Sequence, residues 1–159
     1  MNALYDQLVE IAQRRTIPFC YSCYRRAPTG RCSICYSDDL MVELPGTGVE
    51  YGYTWAIQQL LSEHLSPADL GAALEESIRD CYGNSVKVGW CTFDTANVIK
   101  ELDPVSWRMA QSEFVDSECE AETLCTFDNG SCYYWTREIE QFIADNQMHH
   151  DLSQPHPQP

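Results

Sequence analysis

The sequence predicts an α+β protein in which an N-terminal helix and a small cysteine-rich module precede a mainly helical, acidic domain containing a β-hairpin. Three observations carry this prediction. Apolar residues recur at helical spacing from one end of the chain to the other. Short alternating or continuous apolar stretches lie between them, as strands require. Cys20-Tyr21-Ser22-Cys23 is followed, after eight residues, by Cys32-Ser33-Ile34-Cys35.

Residues 2–15 place Leu4, Leu8, Ile11 and Ala12 on one stripe, with Asn2 as N-cap and Arg14 and Arg15 at the end that the helix dipole favours. Pro18 stops this helix, and residues 40–44 read as a strand leaving the cysteine module. The glycine-rich stretch 45–52 reads as a turn leading into a helix. Its G-x-G-x-x-x-G spacing lacks the lysine and hydroxyl of a phosphate loop, and Glu50 would oppose a phosphate. A helix over 54–64 carries Trp55, Ile57, Leu60 and Leu61. The next starts at Ser66 as N-cap with Pro67 at N1, runs to about Tyr82, and ends at Gly83-Asn84.

Val86, Val88 and Trp90 alternate with polar residues as in a strand, and Cys81 and Cys91 fit buried positions. A short helix over 95–103 turns Val98, Ile99 and Leu102 inward. Asp103-Pro104 opens another, reaching about Glu122, with Trp107, Ala110, Phe114 and Val115 as core contacts. Residues 124–127 pair with 132–135 across Asn129-Gly130, and Thr136 caps a last helix carrying Ile139, Phe142 and Ile143. The predicted organisation is thus a helix over 1–16, the cysteine module over 17–40, an acidic α+β domain over 41–147 and a disordered tail over 148–159.

Net charge is −14, which disfavours general coating of nucleic acid or anionic membrane. A hydrophobic content of 44% argues for a folded chain, and no apolar run approaches the roughly 20 residues of a membrane span. The charge is unevenly placed. Arg14, Arg15, Arg25, Arg26 and Arg31 face only Asp6 and Glu10 in the first 35 positions, so that segment is +3 and the remainder −17. These arginines are candidate nucleic-acid contacts; they equally serve to neutralise four metal-bound thiolates.

Two C-x2-C pairs form two knuckles whose thiolates, brought face to face, supply the tetrahedral sulfur set that structural zinc prefers. Cys20, Cys23, Cys32 and Cys35 are therefore the expected ligands of one Zn2+, with iron, disulfides and free thiols as the competing readings. The N-terminus lacks the apolar core of a signal peptide, so a cytoplasmic location is expected, and with it metal in preference to disulfide. Four protein ligands fill the coordination sphere, which makes the ion structural. Residues 19–39, FCYSCYRRAPTGRCSICYSDD, resemble the zinc-ribbon class. The resemblance implies a structural metal module of a kind used both in nucleic-acid machinery and in protein contact. Tyr24 and Tyr36 stand where that class commonly places glycine.

The order helix, helix, hairpin, helix over 95–146 resembles a winged helix, but Glu113, Asp116, Glu118 and Glu120 on the helix that would read DNA would repel phosphates. That acidic face is a candidate partner-binding surface or a nucleic-acid mimic, against the plainer reading of a solvated helix. No nucleophile, base and orienting group stand out together, and His64 reads as a helix-end residue, so an enzyme is not expected. The expectation is a small zinc-binding accessory or regulatory protein that acts by binding another macromolecule, with a protein as the first-choice partner. The alternatives are a nucleic-acid binder using the arginines and an acidic mimic that occupies a nucleic-acid-binding partner.

Overall fold

The computed structural model describes residues 2–151. Its elements, in chain order, are α1 (Asn2–Arg15), β1 (Ile17–Cys20), β2 (Arg25–Arg26), β3 (Met41–Leu44), β4 (Gly48–Glu50), α2 (Thr54–His64), α3 (Leu70–Tyr82), β5 (Ser85–Val88), β6 (Cys91–Asp94), α4 (Thr95–Leu102), α5 (Pro104–Glu120), β7 (Leu124–Cys125), β8 (Tyr134–Trp135) and α6 (Thr136–Asp151). The fold is α+β, as the periodicities predict. Among the described residues, no helix is long and apolar enough to cross a membrane. The side chain of Asn2, read as a cap, and the tail over 152–159 lie outside the described residues. Residues 148–151, read as the start of that tail, continue α6 as helix.

The chain forms two compact units, residues 1–66 with 126–159, and residues 67–125. This division differs from the linear order of domains that the sequence suggests. The segment 95–146, which resembles a winged helix in element order, is split between the two units at residue 126.

In the first unit the stripe of α1 does what its spacing demands. Leu8, Ile11 and Ala12 are buried, and α1 packs on α2 and α6, whose own stripes bury Ile57, Leu60 and Leu61, and Ile139, Phe142 and Ile143. An antiparallel sheet of order β2-β1-β3-β4 turns Phe19, Val42 and Leu44 inward. The glycine-rich stretch leads into a strand before the helix. Pro45-Gly46-Thr47 forms the turn of the β3–β4 hairpin, in which Leu44 pairs with Gly48, and Thr47 N–H donates to Leu44 O at 3.0 Å.

The loop before β8 also departs from the simple hairpin. Asn129 and Gly130 have the positive φ values, 58° and 89°, that an Asn-Gly turn needs. The side chains of Thr126 and Asp128, however, capture N–H groups that a longer ladder would use: Gly130 N–H donates to Thr126 Oγ1 at 3.1 Å and Cys132 N–H to Asp128 Oδ1 at 2.8 Å. β7 and β8 are therefore two residues each, where the sequence suggests four.

The second unit is built around a thin core. Among its described residues, Leu74, Thr95, Ala96, Trp107, Leu124 and Cys125 are buried. Its helix starts are set by three aspartates. Asp69 accepts from Ala72 N–H (2.9 Å), Asp94 from Asn97 N–H (2.9 Å) and Asp103 from Ser106 N–H (3.0 Å). Asp69, rather than Ser66, caps α3; the turn after Pro67 stays non-helical until a carboxylate can take the free N–H groups. The single strand expected over 86–90 is half of a hairpin, with a two-residue turn that needs Gly89 at φ 63°. Folding back at that point leaves Trp90 96% exposed. Cys81 and Cys91, expected inside, are exposed, and so is Leu102.

Polar contacts reinforce this core. Arg79 on α3 binds Asp94 at the end of β6 (2.9 Å) and Glu75 (3.2 Å), while Lys100 on α4 reaches Glu75 (3.0 Å) and stacks over the Trp107 ring. Hydrogen bonds from Arg79 and from Asn97 N–H hold the Asp94 carboxyl below its usual range, and those from Lys100 and Arg79 do the same for Glu75. A carboxylate whose pKa is depressed by folding stabilises fully above its unfolded pKa and loses that contribution as pH falls through the folded one. The second unit should therefore lose stability as pH drops below about 4, and Asp94→Asn should flatten this acid limb in melts followed by circular dichroism. In the first unit, Ile139→Ala should cost about 2–5 kcal/mol in urea unfolding, because Ile139 is fully enclosed.

Candidate metal centre

The strand order places the first cysteine pair at a turn. β1 ends at Cys20, residues 21–24 reverse the chain, and β2 returns with Cys20 opposite Arg25 and Phe19 opposite Arg26. The second pair sits in the loop that joins β2 to β3. Cys32 N–H donates to Ser37 O (2.9 Å) and Tyr36 N–H to Cys32 O (3.0 Å), which closes Cys32 to Cys35 into a matching turn. Ala27 N–H donates to Pro18 O at 2.7 Å, tying the start of this loop to β1.

The four Sγ atoms of Cys20, Cys23, Cys32 and Cys35 lie within 4.8 Å of one another, with Cys20 and Cys35 at 3.7 Å. A four-coordinate ion with metal–sulfur bonds of about 2.3 Å places its sulfurs about 3.8 Å apart, so the arrangement fits a tetrahedral metal ion. A disulfide needs about 2.05 Å, far less than the 3.7 Å between the Cys20 and Cys35 sulfurs. Cys20 and Cys32 are buried, Cys23 is half-buried and Cys35 is exposed, which puts the site at the surface with one side sealed.

Backbone N–H groups already prepare part of this set. The Cys35 and Ile34 N–H groups pull the Cys32 thiol down to about 6, and Ile34 N–H lies 3.5 Å from its sulfur. The Cys23 thiol is pushed up to about 12 by its hydrogen bond with Cys35 and by burial. Four sulfurs at this spacing cannot all ionise without a cation among them, so metal binding must release protons.

Each turn passes through a left-handed residue directly after its second cysteine. These are Tyr24 at φ 52° and Tyr36 at φ 58°. The backbone path is thus the one that glycine would serve more cheaply, and tyrosine holds it under strain. Tyr24 gains an edge-on contact with Phe19, ring centroids 5.5 Å apart. Tyr21, Tyr24, Ile34 and Tyr36 are all exposed on these turns. The sequence shows the missing glycines without giving these side chains a role; their position on the turns beside each cysteine pair is the signal it offers.

The five arginines are engaged in different ways. Arg26 makes a two-pronged ion pair with Glu43, both contacts 2.7 Å, across β1, and holds that carboxyl below its usual range. Arg31 lies 3.9 Å from Asp38. Arg14 binds its own helix at Glu10 O (3.2 Å), and Arg15 binds Asn146 on α6 (3.0 Å). Arg25 is exposed beside Tyr24. On α5, a helical repeat of 100° per residue puts Glu113, Asp116 and Glu120 on one face and turns Glu118 away from it. There Glu118 accepts a hydrogen bond from the Thr123 hydroxyl. His64 ends α2 with its ring against Phe142, on an open cleft shared with Arg15, Glu138 and Asp145.

Comparison with known proteins finds no matching family model, no matching curated protein and no matching solved structure.

The purified chain should carry one metal ion, counted by elemental analysis, and Cys32→Ser should lose it. Removal by a chelator should unfold at least residues 17–40, because a structural site of this kind contributes about 10 kcal/mol or more to a small module. A melt unchanged by the chelator would refute a structural ion. Tyr36→Gly should raise the stability of the loaded protein by up to about 1 kcal/mol through relief of the left-handed strain.

Proposed function

We propose that this chain is a zinc-holding accessory protein of the cytoplasm, in which one structural Zn2+ on Cys20, Cys23, Cys32 and Cys35 braces a surface that binds a protein partner. The observation that carries the reading is the convergence of four sulfurs on two turns whose tips expose Tyr21, Tyr24, Ile34 and Tyr36. An all-thiolate tetrahedral set suits zinc. Bound there, the ion supplies a cross-link between two loops and has no coordination position left for a substrate. Thiolates kept available for a metal in Cys20, Cys23, Cys32 and Cys35 suit a reducing compartment.

Aromatic side chains held on a rigid turn provide large contact area at low entropic cost, and tyrosine is enriched in protein interfaces for that reason. The metal therefore serves contact by fixing the turns. A second reading draws on Arg25, next to Tyr24 in the chain, and on Arg31, next to Cys32: bases would stack on the rings while the guanidinium groups meet phosphates. The acidic-mimic reading draws on the three carboxylates that share one face of α5.

Cross-linking in a native extract, followed by identification of the captured species with and without nuclease, separates these readings. The expected result is capture of a protein that survives nuclease and is lost in Cys32→Ser and in the double variant Tyr24→Ala with Tyr36→Ala. Capture that nuclease abolishes, or that Arg25→Ala alone removes, would replace protein by nucleic acid as the partner. Capture indifferent to all these changes would remove the cysteine module from the binding surface.

A further inference from the structure

We infer that the second unit carries a docking groove for a positively charged amphipathic helix of a protein partner. This rests on the reading of the chain as a protein-binding accessory, but it concerns a different surface and a different chemistry from the metal module.

The groove has a volume of ≈ 530 Å3 and is lined by Val88 and Phe93 of the β5–β6 hairpin and by Val98 and Leu102 of α4, together with Asp94, Asn97 and Glu101. Its apolar character follows from local geometry. In the hairpin register Val86 pairs with Phe93 and Val88 with Cys91, so these four share one face, while Lys87 and Thr92 point to the other. On α4 the apolar stripe of Val98, Ile99 and Leu102 starts next to buried Thr95 and Ala96 and runs out of the core toward its C-terminal end. Val88 is 62% exposed, Phe93 47% and Leu102 80%. Trp90, at the hairpin turn, is the most exposed of the large apolar residues described. Such residues contributed from two adjacent elements form a contiguous patch of the kind that marks an interaction site.

Charge selects the occupant. Residues 67–125 hold twelve acidic residues and four basic ones, a net −8. Two of those four bases are committed inside the unit, Arg79 to Glu75 and Asp94, and Lys100 to Glu75. Of the charged residues lining the groove, Asp94 is engaged by Arg79 and Glu101 is exposed, so Glu101 is the carboxylate presented to a partner. A second copy of this chain would set one strongly acidic surface against another. An apolar helix face flanked by lysine or arginine meets both the apolar lining and the acidic charge of the unit. The eight residues of α4 span about 12 Å, two helical turns, which suits a partner helix anchored by apolar residues at i, i+3 or i+4, and i+7.

The test is calorimetric titration of the full metal-loaded chain with a synthetic amphipathic helix of leucine and lysine, and with the same peptide carrying glutamate for lysine. The lysine peptide should bind, the glutamate peptide should not, and Leu102→Asp should weaken binding at least about tenfold, as expected of a central apolar anchor. This substitution adds negative charge, so attraction by charge alone would leave binding unchanged or tighter; either result overturns the proposal. Equal binding of the two peptides, or no binding of the lysine peptide, also overturns it. So does concentration-dependent self-association of the wild type that Leu102→Asp abolishes, because the groove would then be filled by a second copy. Val88→Asp, on the opposite wall, repeats the test should Leu102→Asp disturb the circular dichroism spectrum. Loss of knuckle-dependent capture from extract leaves this titration unaffected, so failure of the metal-module reading and failure of the groove are told apart.

Discussion

Four sulfur atoms held within 4.8 Å of one another are the constraint around which the first unit is arranged. Thiolates repel at that distance, and the backbone between the two pairs has few apolar residues to fold it; only Ala27, Cys20 and Cys32 are buried among residues 20–35. The turns must therefore be stiff before an ion arrives or be stiffened by it. In this structure the chain itself holds both turns. One turn is the end of a β-hairpin, continuous with the β1–β3 pairing, and the other is closed by its own N–H groups and by the sulfur of Cys32. The ion-pair from Arg26 to Glu43 then clamps β2 to β3 on either side of β1. An exposed ion pair of ordinary geometry contributes little, but a two-pronged one with fixed donors also sets direction, and here it aligns the strand that delivers the first cysteine pair.

The tyrosines that follow each pair join strain to surface. A residue with a side chain at positive φ costs energy that glycine would not, and the cost is tolerable only where the surroundings enforce the conformation. Two such residues at equivalent places in the two turns, both more than two-thirds exposed, tie the path of the backbone to an aromatic display. Glycine would relax the turn and erase the display. That trade is the reason to regard these side chains as part of what the module presents.

The second unit solves a different problem. With so few enclosed apolar residues, its 59-residue span is close to the size at which a hydrophobic core alone becomes marginal. Directional contacts compensate. Asp94 closes the hairpin, caps α4 and binds Arg79 of α3, so one side chain meets three elements. The same economy leaves much of the apolar surface of the hairpin and α4 uncovered.

Local information decided the cysteine spacing, the helix periodicities, the aspartate cap at Asp103 and the Gly83 stop, because each depends on neighbours within about one helical turn or one tight turn. It could show that tyrosine replaced glycine after each cysteine pair, but not that the backbone would take the left-handed path regardless. Amphipathic patterns show that a residue is apolar and shares a face with others; they do not show what stands opposite. Leu102, Cys81 and Cys91 sit on such faces and are nonetheless exposed. Which segments share a core was likewise decided only in three dimensions. α6 joins α1 and α2 although more than sixty residues separate it from α2, because burial of complementary stripes is indifferent to distance along the chain.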